Sequence, residues 1–575
     1  MGNRALRGLY VMENSWIKKF LSIFSHEPVP KKTFSLSPSR TVYSNTIPLG
    51  RSKVTKRKKS SSLPPEKSDL QKVLAHRFRS RRNPDFIIRS LQTSWGQITI
   101  AFYQSLTDSN QIQEFLIGPL VEFTPPADKP LCAKDLKDQL TYCHVVKEVF
   151  SFDDTLKSII TGMTFVHIDG YEWGLALDFL GQHGRSVSEP HTETVVQGPY
   201  DAFVEDIRIN LYLLRTRLAT PDFIAENIPA GERESGPINL LYIDGLTNPK
   251  VIREIRRRLE SIDVDMLYNV GQLEQFIEDR PFSLFSQMIT SERPDRTISF
   301  LMEGAVAVLL NGSPLALIAP VTLWSQVHSP EDIYYRWPIS TFARLLRVIG
   351  VLTTIFLPAV YTAMVVFHPE MLPTDLMLAI ASAREHVPFP TAFSLLFLEI
   401  AFDFIREAAL RVPKMIGPTI GIVGAIIIGQ AVVEAGIVSP VAIIVAAITG
   451  LAGFSIPQYS LVNSFRIARL FLLFLANFLG FYGVLIGLVV LVHHLAGLKS
   501  LGVPFLSPFS PLRNPSGDTF IRTAAFSVEK RPFFTRPMDK FKQRPLNRPW
   551  DPRIPPELLL ITGDLSSPQK KGEQS

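Results

Sequence analysis

The sequence is poor in cysteine and in the short motifs that identify enzymes. Its 575 residues include two cysteines, Cys132 and Cys143, too few for a disulfide framework or for a zinc site built from two thiol pairs. It contains no GxxxxGK[ST], HExxH, GxSxG or GxGxxG pattern, which mark nucleotide, zinc-protease, serine-hydrolase and dinucleotide sites. His191 between Glu189 and Glu193 is a single histidine, for which we expect a structural role. We therefore expect no enzyme activity, no catalytic residue, no cofactor and no metal site.

Long apolar runs are missing before about residue 340. The most apolar piece near the start, 16–24, is interrupted by Lys18 and Lys19. We therefore expect no signal peptide and no export of the amino-terminal region. The mean hydropathy is nevertheless +0.15, although 20% of the residues are charged. Charged and apolar residues must therefore occupy different parts of the chain.

Four uncharged stretches between about 340 and 495 are long enough to be membrane helices. A helix of about 20 residues measures roughly 30 Å, the thickness of the hydrocarbon layer, and a helix satisfies its own backbone groups in lipid. The predicted spans are Val348–Phe367, Ile416–Val433, Val441–Ile456 and Leu470–Val492. With both ends on one side the number of crossings must be even, and four is the simplest count. If segment 393–412 also crosses, one of these spans is re-entrant or a further crossing exists.

Basic residues are concentrated at both ends of the chain, whose formal net charge is +7. Residues 1–90 are rich in Lys, Arg, Ser and Pro without periodicity, which predicts a mostly disordered extension. Residues 497–575 form a basic, Pro-rich tail. Basic segments beside membrane helices are typical of the cytoplasmic side, where they meet anionic lipid. We expect no nucleic acid at the cluster Lys56–Lys59, because no aromatic or folded pattern accompanies it.

The region between the extension and the first span has the patterns of an α/β fold. Asp169-Gly170 and Asn311-Gly312 each join two short apolar runs, which predicts two hairpins and argues against a span at 301–320. Apolar residues at helical spacing predict a helix over Asp201–Leu218. Asn248-Pro249 is expected to start another helix, since Asn caps well and Pro fits the first position.

These elements divide the chain into a soluble and a membrane part. A second strand–turn–helix order begins near Ile238, so we expect two subdomains. The predicted fold is an α/β soluble amino-terminal region of two small subdomains followed by an all-α transmembrane helical bundle. The boundaries are 91–235 and 236–340 for the subdomains and 341–496 for the bundle.

The apolar segment 393–412 carries four ionisable residues. Their spacing places Glu399, Asp403, Arg406 and Glu407 on one face of a helix. The opposite face consists of Phe397, Leu398, Ile400, Ala401, Phe404 and Ile405. Charges at membrane depth are costly unless they face water or partners. Two interpretations remain open: a helix lining a cation-attracting aqueous path built from several copies, or an amphipathic helix lying in the membrane interface.

Small residues recur at every fourth position of the second predicted span, at Gly417, Gly421, Ala425 and Gly429. This spacing lets membrane helices approach closely. The last predicted span repeats the pattern at Ala476–Gly480 and Gly483–Gly487. Both stripes predict tight helix packing, either within one chain or between subunits.

Residues 185–206, RSVSEPHTETVVQGPYDAFVED, closely resemble the signature of the GerA family of spore germination proteins. The signature residues are Arg185, Glu189, Pro190, Glu193, Gly198 and Pro199. Further matches follow in the family's order, at 291–295, 301–304, 311–314, 329–332, 388–390, 398–408, 417–418, 422–424 and 438–440. The resemblance covers about 95–510. Gln197, where the family usually has Arg, and Ser394, where an acid is common, depart from the pattern.

The resemblance implies a germinant-receptor A subunit in the inner membrane of the bacterial endospore, with its amino- and carboxy-terminal parts in the spore core. Such subunits act with a transporter-like B subunit and a C lipoprotein. They are proposed to oligomerise, as pentamers, into a nutrient-gated channel that releases monovalent cations. Glu399, Asp403, Arg406 and Glu407 would then line the pore, with Arg406 paired to an acid. Alternatives are a stage V sporulation-type channel of the same family, a scaffold without a pore, and a secondary transporter, which predicts internal repeats.

Overall fold

A computed structural model describes residues 63, 67–94, 96–123, 133, 136–137, 145–181, 189–229, 236–411, 424, 426–512 and 518–543. The residues named above that lie outside these ranges are Cys132, Cys143, Arg185, Gly417, Gly421 and Ala425. Most of the predicted span Ile416–Val433 and most of the basic extension also lie outside them.

The first sheet has five antiparallel strands in the order β1-β2-β4-β5-β3. They are β1 Phe86–Thr93, β2 Gly96–Tyr103, β3 Val146–Val149, β4 Thr164–Ile168 and β5 Gly174–Leu177. The helices of this subdomain are α1 Lys67–Arg77, α2 Ser109–Ile112, α3 Gly118–Glu122 and α4 Phe152–Ile160, with a π-helical turn at Gln113–Ile117. The predicted hairpin at Asp169-Gly170 is confirmed, because β4 pairs with β5 across it.

Helix α1 lies in the segment for which we expected mostly disorder. Leu70, Leu74 and Phe78 recur at four-residue intervals and are fully buried against Phe86 of β1. This apolar face gives the helix a place in the core, so the expectation of disorder does not hold for 67–90.

The second sheet repeats the arrangement, in the order β6-β7-β9-β10-β8. Its strands are β6 Phe223–Pro229, β7 Pro237–Ile243, β8 Ile289–Ser291, β9 Val306–Leu310 and β10 Ala316–Ala319. Its helices are α5 Ile207–Arg217, α6 Pro249–Glu260, α7 Val270–Ile277, α8 Pro294–Met302 and α9 Leu323–Val327. Helices α6 and α7 pack on one face of the sheet, and α5 and α8 pack on the other.

Two predicted helix starts have different outcomes. Asn248 caps α6 as expected, accepting a hydrogen bond from the backbone N–H of Lys250 at 3.0 Å. The helix predicted over Asp201–Leu218 begins six residues later, at Ile207. Asp206 accepts the backbone N–H of Arg208 at 2.8 Å and is the true N-cap. The hairpin at Asn311-Gly312 is confirmed by the pairing of β9 with β10.

The carboxy-terminal half contains the apolar helices. These are α10 Trp337–Phe367, α11 Thr374–Arg384, α12 Thr391–Arg411, α13 Val432–Glu434, α14 Pro440–Phe454 and α15 Tyr459–Gly497. Among the residues that the structure describes, α10 and α15 are long and apolar enough to cross a membrane. Helix α14 is apolar but shorter.

Helix α15 is broken at Gly480, whose φ of 60° and ψ of −137° are not helical. A Cβ added to Gly483 would meet the backbone carbonyl of Leu475, and one added to Gly487 would meet the side chain of Leu472. Residues eight apart in a continuous helix are separated by about 12 Å along its axis. The two arms, 459–479 and 481–497, therefore run antiparallel. The single span predicted at Leu470–Val492 is wrong, because its glycines reverse the chain.

The helical region is attached to the second subdomain at its start, and the chain comes back to that subdomain after the helical region ends. Residues 499–504 form a two-stranded sheet, β11 Lys499–Ser500 and β12 Val503–Pro504, and Leu501 and Val503 belong to the core of the second sheet. The backbone N–H of Met538 donates to the carbonyl of Leu246 at 2.8 Å. The beginning of the predicted basic tail is thus part of the folded body.

Candidate functional site: two ionic networks

The signature segment packs against the start of helix α8. Within 189–206 the carboxylate of Glu193 forms a salt bridge with Arg296, and both side chains are less than a tenth exposed. Glu193 also accepts a hydrogen bond from the hydroxyl of Ser291 at 2.6 Å. Two segments that carried the family resemblance, about a hundred residues apart in sequence, therefore lie against each other.

Arg293 is fully buried beneath this segment. It donates to the backbone carbonyls of Glu193 at 3.3 Å and Pro199 at 2.9 Å. Its other N–H groups form a two-pronged pair with Asp295, at 3.0 and 2.9 Å. Burial alone would raise the pKa of Asp295, but the hydrogen bonds of Arg293 hold it below its ordinary value. This network is complete: the acid and the irregular backbone both have charged partners.

Both the backbone conformation and the packing around Gly198 explain why the signature has glycine at this position. Gly198 has a φ of 138°, and an added Cβ would lie 2.9 Å from the ring of Tyr334. The neighbouring backbone N–H of Val196 donates to Glu331 at 2.6 Å. Residues 331–334 precede α10, so the signature segment also contacts the start of the helical region.

The start of the described signature segment is held by Glu292. Pro190 is buried and Glu189 is exposed. The backbone N–H groups of His191 and Thr192 donate to Glu292 at 2.6 and 3.2 Å. No cluster of residues suited to a metal ion occurs among the described residues.

Arg296 connects this network to the helical bundle. Its Nη1 also donates to Gln458, the N-cap residue of α15, at 3.4 Å. Its Nη2 donates to the carbonyl of His328 at 3.3 Å. The pKa of His328 is lowered to about 4 by burial and by the nearby guanidinium of Arg344, so this histidine is neutral at neutral pH.

A second junction fixes the start of α10. Asp332 is 1% exposed and accepts hydrogen bonds from Arg344 at 2.8 Å and from Arg347 at 2.9 Å. Arg344 also pairs with Asp518 of the carboxy-terminal segment at 2.8 Å. The first charged turns of α10 therefore bind the soluble body through ionic contacts.

A separate network lies between α12 and the first arm of α15. Glu399 forms a salt bridge with Arg469, and both side chains are 5% exposed. Asp403 forms one with Arg466, with exposures of 36% and 19%. At about 1.5 Å per residue, Arg469 lies roughly 16 Å from both Gln458 and the bend at Gly480. The buried pair is thus near the middle of the helical bundle.

The other two candidate residues of α12 are differently placed. The guanidinium of Arg406 lies 5.1 Å from the ring centroid of Phe454, and the structure pairs Arg466, not Arg406, with Asp403. Glu407 pairs with Arg411 at 2.6 Å on the exposed surface. The expectation that Arg406 pairs with an acid therefore needs correction, because an aromatic ring occupies that contact.

The faces of α12 also differ from those expected. Leu398 was placed opposite the acids, yet it is fully buried on the same side as Glu399. Phe397, Ile400 and Phe404 form the exposed side. The helix packs against both α14 and α15, so its inward side must accommodate apolar and charged contacts together. Within the chain, Glu399 faces these helices and α12 runs through the bundle.

The small-residue stripes have different surroundings. A Cβ added to Gly429 would have nothing within 4 Å, whereas one on Gly480 would lie 3.0 Å from Phe367 of α10. The stripe in α15 therefore packs within the chain. Whether the stripe at 417–429 packs between subunits remains a prediction, because its other three residues lie outside the described ranges.

Arg466 and Arg469 were not predicted as site residues, because they precede the uncharged run that defines the last predicted span. The available signal was their spacing. Two arginines three residues apart precede that run, and two acids four apart occur in another apolar helix. Complementary charges at helical spacing on two apolar segments predict a pairing.

Comparison with known proteins identifies the family. Residues 72–534 match the family described as Bacillus/Clostridium GerA spore germination protein. The chain is 36% identical over 495 residues to spore germination protein KA of Bacillus subtilis, covering 85% of this chain and 90% of that protein. It is 37% identical over 435 residues to the uncharacterized membrane protein YfkQ of the same organism, covering 75% and 84%.

Part of the chain also aligns with a solved structure. That structure is the N-terminal domain of the A subunit of the Bacillus megaterium spore germinant receptor GerK3. It covers 45% of this chain and 97% of that domain, at 28% identity and a TM-score of 0.36. The chain belongs to the GerA family of spore germination proteins. Its role is therefore in spore germination, and its apolar helices indicate a membrane protein.

Proposed function

We propose that the chain is the A subunit of a germinant receptor and oligomerises into a channel that releases monovalent cations. The single observation that carries this proposal is the set of ionised residues at mid-height of an apolar bundle, around Glu399 and Arg469. Buried charges in a membrane are costly and typically mark ion or proton pathways. A scaffold that only anchored the soluble subdomains would gain nothing from them.

The geometry supports a defined topology for this channel. The two arms of α15, with α10 and α14, connect the second subdomain to a far side marked by Phe367 and Gly480. Helix α12 runs through the same layer, from the far side to Phe454. We propose an even number of crossings, with the amino- and carboxy-terminal parts together in the spore core and the far side outward. The inner spore membrane is the proposed location.

Proposed partners follow from the family. A transporter-like B subunit would receive the nutrient, a C lipoprotein would complete the receptor, and several copies, five by resemblance, would surround the pore. Candidate pore-lining residues are Glu399, Asp403, Arg406 and Glu407. A stage V sporulation-type channel of the same family is the alternative with the same geometry.

Cation flux from vesicles containing the purified full chain tests the proposal. We expect the wild type, although mostly closed, to release rubidium ions faster than protein-free vesicles do. The double variant Glu399→Gln/Asp403→Asn should lose most of this flux, because neutral amides attract cations far less than carboxylates. The matched control is Glu260→Gln, whose carboxylate lies on the exposed surface of the soluble region. Equal flux in wild type and double variant would remove these acids from the pore and favour the scaffold.

A further inference from the structure

We propose that Arg469, assisted by Arg466, is a tethered counter-ion that occupies the acids of α12 and keeps the cation path closed. The inference rests on the proposed channel and identifies its regulation. In the structure each acid that would attract a cation already has a guanidinium from α15 against it. An ion can reach Glu399 only when α12 and the first arm of α15 separate.

The bonding of the Glu399–Arg469 pair differs from that of two arginine–carboxylate pairs in the soluble region. Arg293 binds Asp295 through two parallel hydrogen bonds, and Arg256 binds Glu226 in the same way. Arg469 donates one hydrogen bond to Glu399. The two-pronged geometry is the strong, permanent form of such a contact, whereas a single bond is readily exchanged for water or an ion.

Unpaired atoms surround the same contact. Among the described residues, the second carboxylate oxygen of Glu399 and the Nε of Arg469 and of Arg466 are buried without a hydrogen-bond partner. The hydroxyl of Ser394, earlier on α12, is in the same state. A partly satisfied buried network is less favourable than a fully paired one. These atoms therefore favour an alternative arrangement in which water reaches them.

The helix that carries the arginines is also connected to the signature segment. Gln458, at the N-cap of α15, accepts a hydrogen bond from Arg296, which pairs with Glu193. Arg466 and Arg469 follow two to three helical turns later. A shift of the second subdomain can therefore move both counter-ions relative to α12 without a change in α12 itself.

Unstimulated rubidium leak from vesicles containing the full chain is the first test. Arg469→Gln is expected to raise the leak about tenfold, a modest shift of a two-state equilibrium. Arg466→Gln is expected to raise the leak less, because Asp403 is already 36% exposed. Arg208→Gln, which breaks an exposed pair with Asp206 in the soluble region, is the matched control and should leave the leak unchanged. The effect of Arg469→Gln should vanish when Glu399→Gln is added.

A second test does not depend on conduction. The background chain carries Cys132→Ser and Cys143→Ser, which remove both native thiols. Ser394 is 3% exposed on the buried side of α12. In this background, Ser394→Cys therefore reports whether water reaches that side. A charged thiol reagent should label this cysteine severalfold faster after Arg469→Gln. An exposed reporter on α11, Ser382→Cys, should label equally in both backgrounds. Equal labelling of Ser394→Cys in both backgrounds would overturn the proposal that Arg469 acts as a counter-ion that closes the path. Faster labelling without any rubidium leak would support the counter-ion role of Arg469 and contradict the proposed channel function.

Discussion

Two buried arginine–carboxylate pairs, Arg293–Asp295 in the soluble region and Arg469–Glu399 in the helical bundle, are bonded differently. In the signature network Arg293 is fully buried and its donors reach Asp295 and two backbone carbonyls. In the bundle, Glu399 and Arg469 are buried to a similar degree but meet through one hydrogen bond. The comparison indicates a rigid network that fixes an irregular segment and an incomplete one able to rearrange. Four predictions compare the two regions.

Removing Arg293 should have the largest effect. Arg293→Ala leaves Asp295 buried without its partner and two carbonyls unpaired, which costs about 3–5 kcal/mol of unfolding free energy. Thermal unfolding of the full chain in detergent measures the loss. Arg208→Ala, which removes an exposed pair with Asp206, is the control and should change the free energy by less than about 0.5 kcal/mol. Comparable losses in both variants would show that the signature network is not rigid.

The bend in α15 should be the next most sensitive position. Gly480→Ala forces a side chain into a left-handed φ and places its Cβ against Phe367, which costs roughly 1–3 kcal/mol. Gly450→Ala is matched, because that glycine lies in a helix with open space around it and the change should be neutral or slightly stabilising. Folded yield and thermal unfolding would measure both. A silent Gly480→Ala would contradict the reversal of the chain.

Glu278, among the described residues of the soluble region, is a group whose charge should change near neutral pH. Burial and the neighbouring carboxylate of Glu274 raise the pKa of Glu278 to about 8. The unfolded chain releases this proton above an ordinary pKa of 4.5, so stability should fall as pH rises from there through about 8. Glu278→Gln should flatten this decline, whereas Glu260→Gln on the exposed surface should not. Parallel pH profiles for wild type and Glu278→Gln would exclude this group as the cause.

Replacing the bundle pair by apolar residues should have the smallest effect on stability. Glu399→Leu/Arg469→Leu removes two buried charges together, and such replacements are often neutral or stabilising. We expect thermal unfolding within about 1 kcal/mol of the wild type. The single variant Arg469→Leu leaves Glu399 unpaired and should be clearly less stable than the double variant. A large loss of stability in the double variant would assign the pair a structural role. It would then no longer differ from the Arg293 pair in this respect.

Several features were predictable from local sequence. Asn248-Pro249 starts a helix and Asn311-Gly312 turns a hairpin because each pair has strong intrinsic preferences that need no distant partner. Uncharged runs locate α10 and α14 for the same reason. The start of the helix predicted over Asp201–Leu218 was wrong. The helical periodicity of 203–214 did not show that Asp206 is the N-cap.

The pairing of charges was decided by the tertiary structure. The spacing of Glu399 and Asp403 showed that they share a helix face, but not that Arg469 and Arg466 lie opposite. Likewise, the signature residue Glu193 was recognisable, whereas its contact with Arg296 depends on how two distant segments meet.

The sequence by itself determined the α/β class of the amino-terminal region, the apolar helices and the position of the ionised segment, because composition and periodicity are local properties. Only the tertiary structure decided that α15 reverses at Gly480 and that the acids of α12 face arginines. A reversal depends on one backbone conformation, and a salt bridge depends on contacts between residues far apart in the chain.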